Sequence, residues 1–142
     1  MYKRLLLPTD GSETSNRAVE HGVILAKAVG GEVLGLYVID ISAFTGIPTE
    51  AIWENMRSLL DEEGKKALSM VEDAAKENTV KFELLLKEGR PADDIIKTAE
   101  ERDVDIIIMG TAGRSGLDKF LLGSVAEKVM RTATCPVLII RR

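Results

Sequence analysis

The sequence predicts an α/β fold, an open parallel sheet of five strands with helices packed on both faces. Two observations carry this. Strand-like and helix-like segments alternate along the whole chain, in the order βαβαβαβαβ, and helical crossovers between strands imply a parallel sheet. The run Ile106-Ile107-Ile108-Met109 is apolar throughout, as a strand buried on both faces would be. At 142 residues the chain has one domain's worth of core, residues 1–142 forming a single unit.

The elements follow in order. Arg4–Pro8 is a short apolar run closed by proline. Glu13–Gly30 carries Ala18, Val19, Gly22, Val23, Ala26 and Val29 at helical spacing, and Gly30-Gly31 supplies its C-cap. Glu32–Ile39 reads as the second strand, and Asp40–Thr49, with Gly46 and Pro48, as a loop. Glu50–Glu77 is a long helix with a stripe of Ile52, Met56, Leu59, Leu60, Ala67, Val71 and Ala74. Val80–Leu86 is the third strand, punctuated by Gly89-Arg90-Pro91. Ala92, Ile95, Ile96 and Ala99 mark a third helix. Asp105–Gly110 is the fourth strand. After a glycine-studded loop, Val125, Val129 and Ala133 mark a fourth helix. Pro136–Ile140 is the last strand, with proline allowed at its first position.

Composition narrows the functional classes. The net charge of −4 argues against nucleic-acid binding, which needs a basic face. A local cluster of backbone N–H groups still holds an anion on an acidic protein. The single cysteine, Cys135, permits no intrachain disulfide and suits a reducing interior; beside Pro136 it reads as a small buried hydrophobe. No apolar stretch reaches membrane-spanning length, so the expectation is a cytoplasmic protein without a membrane partner. His21 has no second metal ligand nearby in sequence. No G-x-x-x-x-G-K-[ST] or G-x-G-x-x-G occurs, which sets aside a P-loop and leaves Asp40, after strand two, without the glycine turn of an NAD site. A receiver domain needs clustered acids after strand one, where only Asp10 stands. Trp53 lies one residue off the stripe of helix two and reads as packing. Asp61-Glu62-Glu63 with Lys65-Lys66 is a solvated face.

Two segments are placed to carry chemistry. Pro8-Thr9-Asp10-Gly11-Ser12 follows strand one, and Gly110-Thr111-Ala112-Gly113-Arg114-Ser115-Gly116, running on to Gly123-Ser124, follows strand four. Open α/β sheets bind ligands beyond the carboxyl ends of strands, where strand order reverses. With the order 3-2-1-4-5 the reversal lies between strands one and four, and both segments flank it. Gly110 and Gly113 would let backbone N–H groups approach a phosphate closely, although glycines also serve plain turns. Ser124 with Glu127 forms a capping-box pattern, so a helix N-terminus favouring an anion lies beside Gly123. Arg114 adds a positive charge suited to outer phosphates. Asp10 with Glu13 also has the capping-box spacing, so Asp10 serves either the start of helix one or a ligand.

The motif Gly110-x2-Gly113-x9-Gly123-Ser124 resembles, at every position, the G-x2-G-x9-G-[ST] motif of ATP-binding universal stress proteins. The opening Leu5–Ser12, the segment Gly89-Arg90-Pro91-Ala92 and the ending Cys135-Pro136-Val137-Leu138 are similar to that family as well, so the likeness covers the chain. The resemblance implies a Rossmann-like fold of the adenine nucleotide α-hydrolase type. It implies ATP as ligand, with Pro8, Thr9 and Asp10 lining the pocket and Asp10 near the sugar or a phosphate-bound metal. Val38 would pack on adenine, Met109 and Gly110 would lie near the ribose, and Gly113, Arg114, Gly123, Ser124 and Val125 would surround the phosphates. Val38 and Met109 equally suit the core. Magnesium is the usual companion of a triphosphate, manganese its substitute.

Val137-Leu138-Ile139-Ile140 falls at the sheet edge in this order, yet is apolar on both sides. Two such edges meeting antiparallel would make a homodimer, which the resemblance implies too; a covering helix or loop is the alternative. Asp10 and Arg114 are the only evident groups for hydrolysis, so no catalytic residue is assigned. The expectation is a nucleotide-dependent stress-response switch with slow or negligible turnover, in which ATP orders Thr111–Leu122 and changes the surface shown to a protein partner. A slow ATPase or nucleotidyl enzyme, and a nucleotide-free dimeric interaction protein, are the alternatives.

Overall fold

The computed structural model describes residues 1–44, 46, 49–111 and 122–141. The elements are β1 (Arg4–Pro8), α1 (Glu13–Val29), β2 (Glu32–Asp40), a 3-10 turn (Ile41–Phe44), α2 (Glu50–Glu77), β3 (Phe82–Gly89), α3 (Pro91–Glu101), β4 (Ile106–Gly110), α4 (Ser124–Thr132) and β5 (Val137–Ile140). The strands form one parallel sheet in the order β3-β2-β1-β4-β5, as expected. β1 sits at the centre because Leu5, Leu6 and Leu7 are all fully buried. Leu5 and Leu7 pack with α1 and α2 residues such as Val19, Val23 and Val71. Leu6 points the other way, toward Ile95 and Ala99 of α3 and Val129 of α4. Alternation along one strand thereby feeds two cores.

A glycine allows this close layering at one point. A Cβ on Gly22 of α1 would lie 2.3 Å from the Leu7 side chain, so the helix lies almost directly on β1. Gly30 ends α1 in the left-handed region, φ 71°, with its N–H donating to Ala26 O, the C-cap read from the sequence.

Three expectations need correction. Strand three was expected over Val80–Leu86, but the ladder spans Phe82–Gly89. Thr79 adopts φ 57° and the Val80 N–H still donates to Ala75 O at 2.8 Å, so Val80 belongs to the helix exit. At the other end, pairing with β2 continues through Lys87 and Glu88 to Asp40↔Gly89. Second, Asp40–Thr49 is not all loop: Asp40 ends β2 and a 3-10 turn follows.

Third, the apolar stripe of α2 is buried only in its second half. Gly64, Ala67, Leu68, Val71 and Ala75 are buried, whereas Ile52, Met56 and Leu59 are exposed, Leu59 at 63%. The reason is length. A helix of 28 residues spans about 42 Å, whereas β2 with nine residues spans about 30 Å. The first turns of α2 therefore project past the carboxyl ends of the strands. There Trp53 packs with Tyr37 and Leu60, and the Arg57 guanidinium lies 5.2 Å from the Trp53 ring centroid while pairing with Glu88.

Candidate functional site

β1 and β4 are neighbours that send their chains to opposite faces of the sheet, and their carboxyl ends leave a crevice between them. The segment after β1 is built by its own polar side chains. The Thr9 N–H donates to Leu36 O at 2.9 Å, which prolongs the β1–β2 pairing by one residue. Thr9 Oγ1 accepts from the Gly11 N–H at 3.1 Å. Asp10 Oδ1 accepts from the Ser12 N–H and from the Ser15 hydroxyl, both at 2.9 Å. Gly11 takes φ 83°, a value that β-carbon sterics discourage in other residues.

Asp10 is not the helix cap. Ser12 is: its hydroxyl accepts from the Ser15 N–H at 3.2 Å. The Asp10–Glu13 capping box does not form, because Asp10 Oδ1 is already engaged by Ser12 and Ser15 in a turn before the helix.

The other wall starts from α4. Its N-cap is Gly123, not Ser124, and no side chain caps it. The Gly123 N–H donates to Thr111 O at 2.6 Å and its carbonyl accepts from the Glu127 N–H, so the first helical turn closes one residue earlier than the Ser124–Glu127 pattern suggests. The Glu127 carboxylate pairs with Arg131, one turn on. The cap therefore places no side chain over the N-terminus of α4, whose first-turn N–H groups have no partner within the helix.

These walls enclose a cavity of about 360 Å³. Pro8, Thr9 and Asp10 line one side, and Met109, Gly110, Gly123, Ser124 and Val125 the other, with Val38 at the end of β2 between them. Nine of the eleven site residues read from the sequence thus converge on one space. The remaining two, Gly113 and Arg114, lie outside the described residues, as do residues 112–121 of the loop Thr111–Leu122 expected to order with ATP. Val38 is half-buried and packs against the core beneath α3, and Met109 is fully part of that core; both also face the cavity, so the two readings of these residues are compatible.

Sequence reasoning missed several further lining residues, among them Leu60 of α2, Pro91 and Ile95 of α3, and Thr111. Ile95 and Leu60 were visible as helix stripe residues, and nothing local distinguishes stripe from pocket wall. Thr111 occupies a variable position within the glycine motif. The described lining residues include the carboxylates of Asp10 and Asp40 but no Lys, Arg or His. Attraction of an anion to this part of the wall rests on the backbone dipoles of α4. Asp40 Oδ1 is engaged by the N–H and hydroxyl of Ser42, at 2.9 and 2.6 Å.

Among the described residues no cluster of three His, Cys, Asp or Glu side chains has metal-binding geometry. A single carboxylate suits a hard cation that takes its other ligands from phosphate and water, and Asp10 has that character. Cys135 lies away from the cavity, half-buried, with burial pushing its thiol pKa up. His21 is exposed on α1. Among the described residues no helix is long and apolar enough to cross a membrane.

Comparison with known proteins agrees with this architecture. The profile of the Universal stress protein family matches residues 1–141. Universal stress protein MJ0531 of Methanocaldococcus jannaschii is 45% identical over 100% of this chain and 84% of its own length. A universal stress protein of Methanothermobacter thermautotrophicus is 41% identical over 99% of this chain and 97% of its own. Among solved structures, the protein MJ0577 of M. jannaschii superposes with a TM-score of 0.85 at 36% identity, covering 100% of this chain and 97% of that one. A universal stress protein of Archaeoglobus fulgidus, solved in complex with dAMP, shares the fold with a TM-score of 0.71 at 24% identity, over 99% of this chain and 98% of that one.

Proposed function

Because this chain belongs to the universal stress protein family, we propose that it binds ATP in the cavity between β1 and β4 and acts as a nucleotide-dependent switch in the stress response. One observation carries the reading: the N-terminus of α4, capped by a glycine without a side chain, opens onto an otherwise largely apolar cavity. That pairs an anion-binding end with a surface suited to a flat aromatic base.

The roles follow position. Adenine lies against Val38, with the β2 backbone bonding its edge, and the ribose lies by Met109 and Gly110. The phosphates lie over Gly123, Ser124 and Val125, joined by Gly113 and Arg114. Pro8 and Thr9 hold the near wall. Asp10 faces the sugar or would hold a magnesium or manganese ion carried by the triphosphate, which would supply charge neutralisation for the phosphates. Asp10 Oδ1 already accepts two hydrogen bonds, which fix the direction of the carboxylate.

The protein works as a binder with slow turnover at most, in the cytoplasm, and the nucleotide alters a surface that a protein partner reads. Two copies pair through β5, the edge strand, where Leu138 is 40% exposed. Calorimetry with ATP on wild type and Ser124→Glu tests the site. A carboxylate in the first turn favours the helix but repels a phosphate, so ATP affinity should fall about tenfold or more while adenosine binding holds. Equal ATP affinity in the two proteins would exclude the α4 terminus as the phosphate site.

A further inference from the structure

We propose that the Asp40 carboxylate is a specificity-determining group that reads the amino edge of the base, so that the cavity takes a 6-aminopurine nucleotide and rejects its 6-oxo analogue. This rests on the nucleotide reading above and adds to it a residue and a discrimination.

Asp40 is the last residue of β2 and lines the cavity. Its Oδ1 accepts from the Ser42 N–H at 2.9 Å and from the Ser42 hydroxyl at 2.6 Å. Both bonds fall on one oxygen, and together they fix the direction of the carboxylate. Among the described residues Oδ2 has no hydrogen-bond or ion-pair partner. It is also not one of the unpaired atoms shielded from solvent. Oδ2 is therefore an accessible acceptor, in a wall whose described residues include no Lys, Arg or His to neutralise it.

The place of Asp40 in the sheet gives the cavity two unlike ends. In the order β3-β2-β1-β4-β5, β2 lies two strands from β4, about 10 Å away. Gly110 and the N-terminus of α4 stand at the β4 end, where an anion is favoured. A carboxylate stands at the β2 end, where an anion is repelled and a hydrogen-bond donor is welcome. Asp10, the other carboxylate of the wall, follows β1 and lies between these ends.

Val38 and Asp40 are two residues apart on one strand, so their side chains leave the same face of the sheet. A base lying against Val38 has its edge beside Asp40. An ionised carboxylate accepts hydrogen bonds and donates none. It pairs with the 6-amino group of adenine. Against the 6-oxo group of hypoxanthine it sets two acceptors face to face with no hydrogen between them. Such a site rejects the analogue that leaves its polar group unpaired, and the repulsion adds to the discrimination.

The test compares wild type, Asp40→Asn and Ser42→Ala, each as the full chain, by thermal melting without ligand and by calorimetry with ATP and with ITP, the inosine analogue. In Asp40→Asn the two donors of Ser42 hold the amide oxygen at the Oδ1 position, which turns the amide NH2 toward the ligand and replaces acceptor by donor. Wild type should bind ATP at least about tenfold more tightly than ITP. Asp40→Asn should melt near the wild-type temperature and lose about tenfold in ATP affinity while its ITP affinity holds or rises. Ser42→Ala, which loosens the carboxylate and leaves it in place, should narrow the preference. Equal binding of ATP and ITP by wild type would overturn the inference and leave the nucleotide reading standing. An ATP-to-ITP ratio unchanged in Asp40→Asn would overturn it too, as would an equal loss for both nucleotides. If Asp40→Asn does not fold, Ser42→Ala decides, and an unchanged ratio there counts against Asp40. If wild type binds neither nucleotide, the nucleotide reading itself fails, and this inference with it.

Discussion

Gly110, the last residue of β4, lies so close to Thr14 in the first turn of α1 that a β-carbon on Gly110 would sit 2.5 Å from Thr14 Cγ2 and 3.0 Å from the Thr14 carbonyl oxygen. This contact joins the two halves of the crevice. It sets the distance between the turn after β1 and the end of β4, and hence the width of the cavity that both line.

Gly110→Ala should therefore push α1 away from β4. Overpacking of this kind costs about 1–3 kcal/mol, partly offset by the lower backbone entropy of alanine in the unfolded chain. The expected net loss is roughly 1–2 kcal/mol in denaturant melts, with weakened ATP binding. A variant as stable as wild type would show that α1 is not fixed by this contact.

Asp10 has two separable duties, holding the turn through Oδ1 and presenting a charge to the cavity. Asp10→Asn keeps an acceptor oxygen and removes the charge. The fold should hold within about 0.5 kcal/mol of wild type, and ATP should bind without magnesium about as it does to wild type. The increment that magnesium adds to affinity should shrink. Titrations with and without the metal measure it, and a full magnesium effect in Asp10→Asn would remove Asp10 from the metal site.

Leu138 is exposed on β5, and no cavity-lining residue comes from that strand. Lysine on an edge strand opposes edge-to-edge pairing. If two copies pair through β5 as proposed, wild type should sediment as a dimer and Leu138→Lys as a monomer, with ATP affinity within about twofold. Dimeric Leu138→Lys would move the interface elsewhere.

Asp105 holds the start of β1. Its Oδ2 accepts the N–H groups of Lys3 at 2.8 Å and Arg4 at 2.9 Å, and the Arg4 N–H leads the effects that hold its carboxyl below the ordinary range, against the opposing effect of burial. A lowered folded pKa means that this stabilisation is complete above the unfolded value, about 3.9, and is lost as pH falls through the folded one. Asp105→Asn should cost about 1 kcal/mol at pH 7, after allowance for solvent screening. The difference from wild type should shrink below pH 4. A pH-independent difference would assign the effect to packing.

Some of this was legible in the chain because burial requirements repeat locally. Leu5–Leu7 and Ile106–Met109 announce strands covered on both faces, and the α1 stripe gives a helix that ends at Gly30 as read. Pro8-Thr9-Asp10 and, of the second segment, Gly110, Gly123 and Ser124 were legible as lining residues because each segment follows a strand. The cap of α4 was not, since Gly123 is recruited by a hydrogen bond from its N–H to Thr111 O, a residue twelve positions earlier.

The sequence by itself determined the element order, the sheet class and the two segments that flank the crevice, because strand and helix periodicities and glycine punctuation are short-range properties. Only the tertiary structure decided that Leu60, Pro91, Ile95 and Thr111 line the same cavity, that the first half of α2 stands clear of the core, and that one Asp40 oxygen has no partner among the described residues. Those facts depend on which distant groups meet and which are left over. Hydrogen-bond pairing and cavity shape are settled between elements, and no local window of residues contains both sides of the contact.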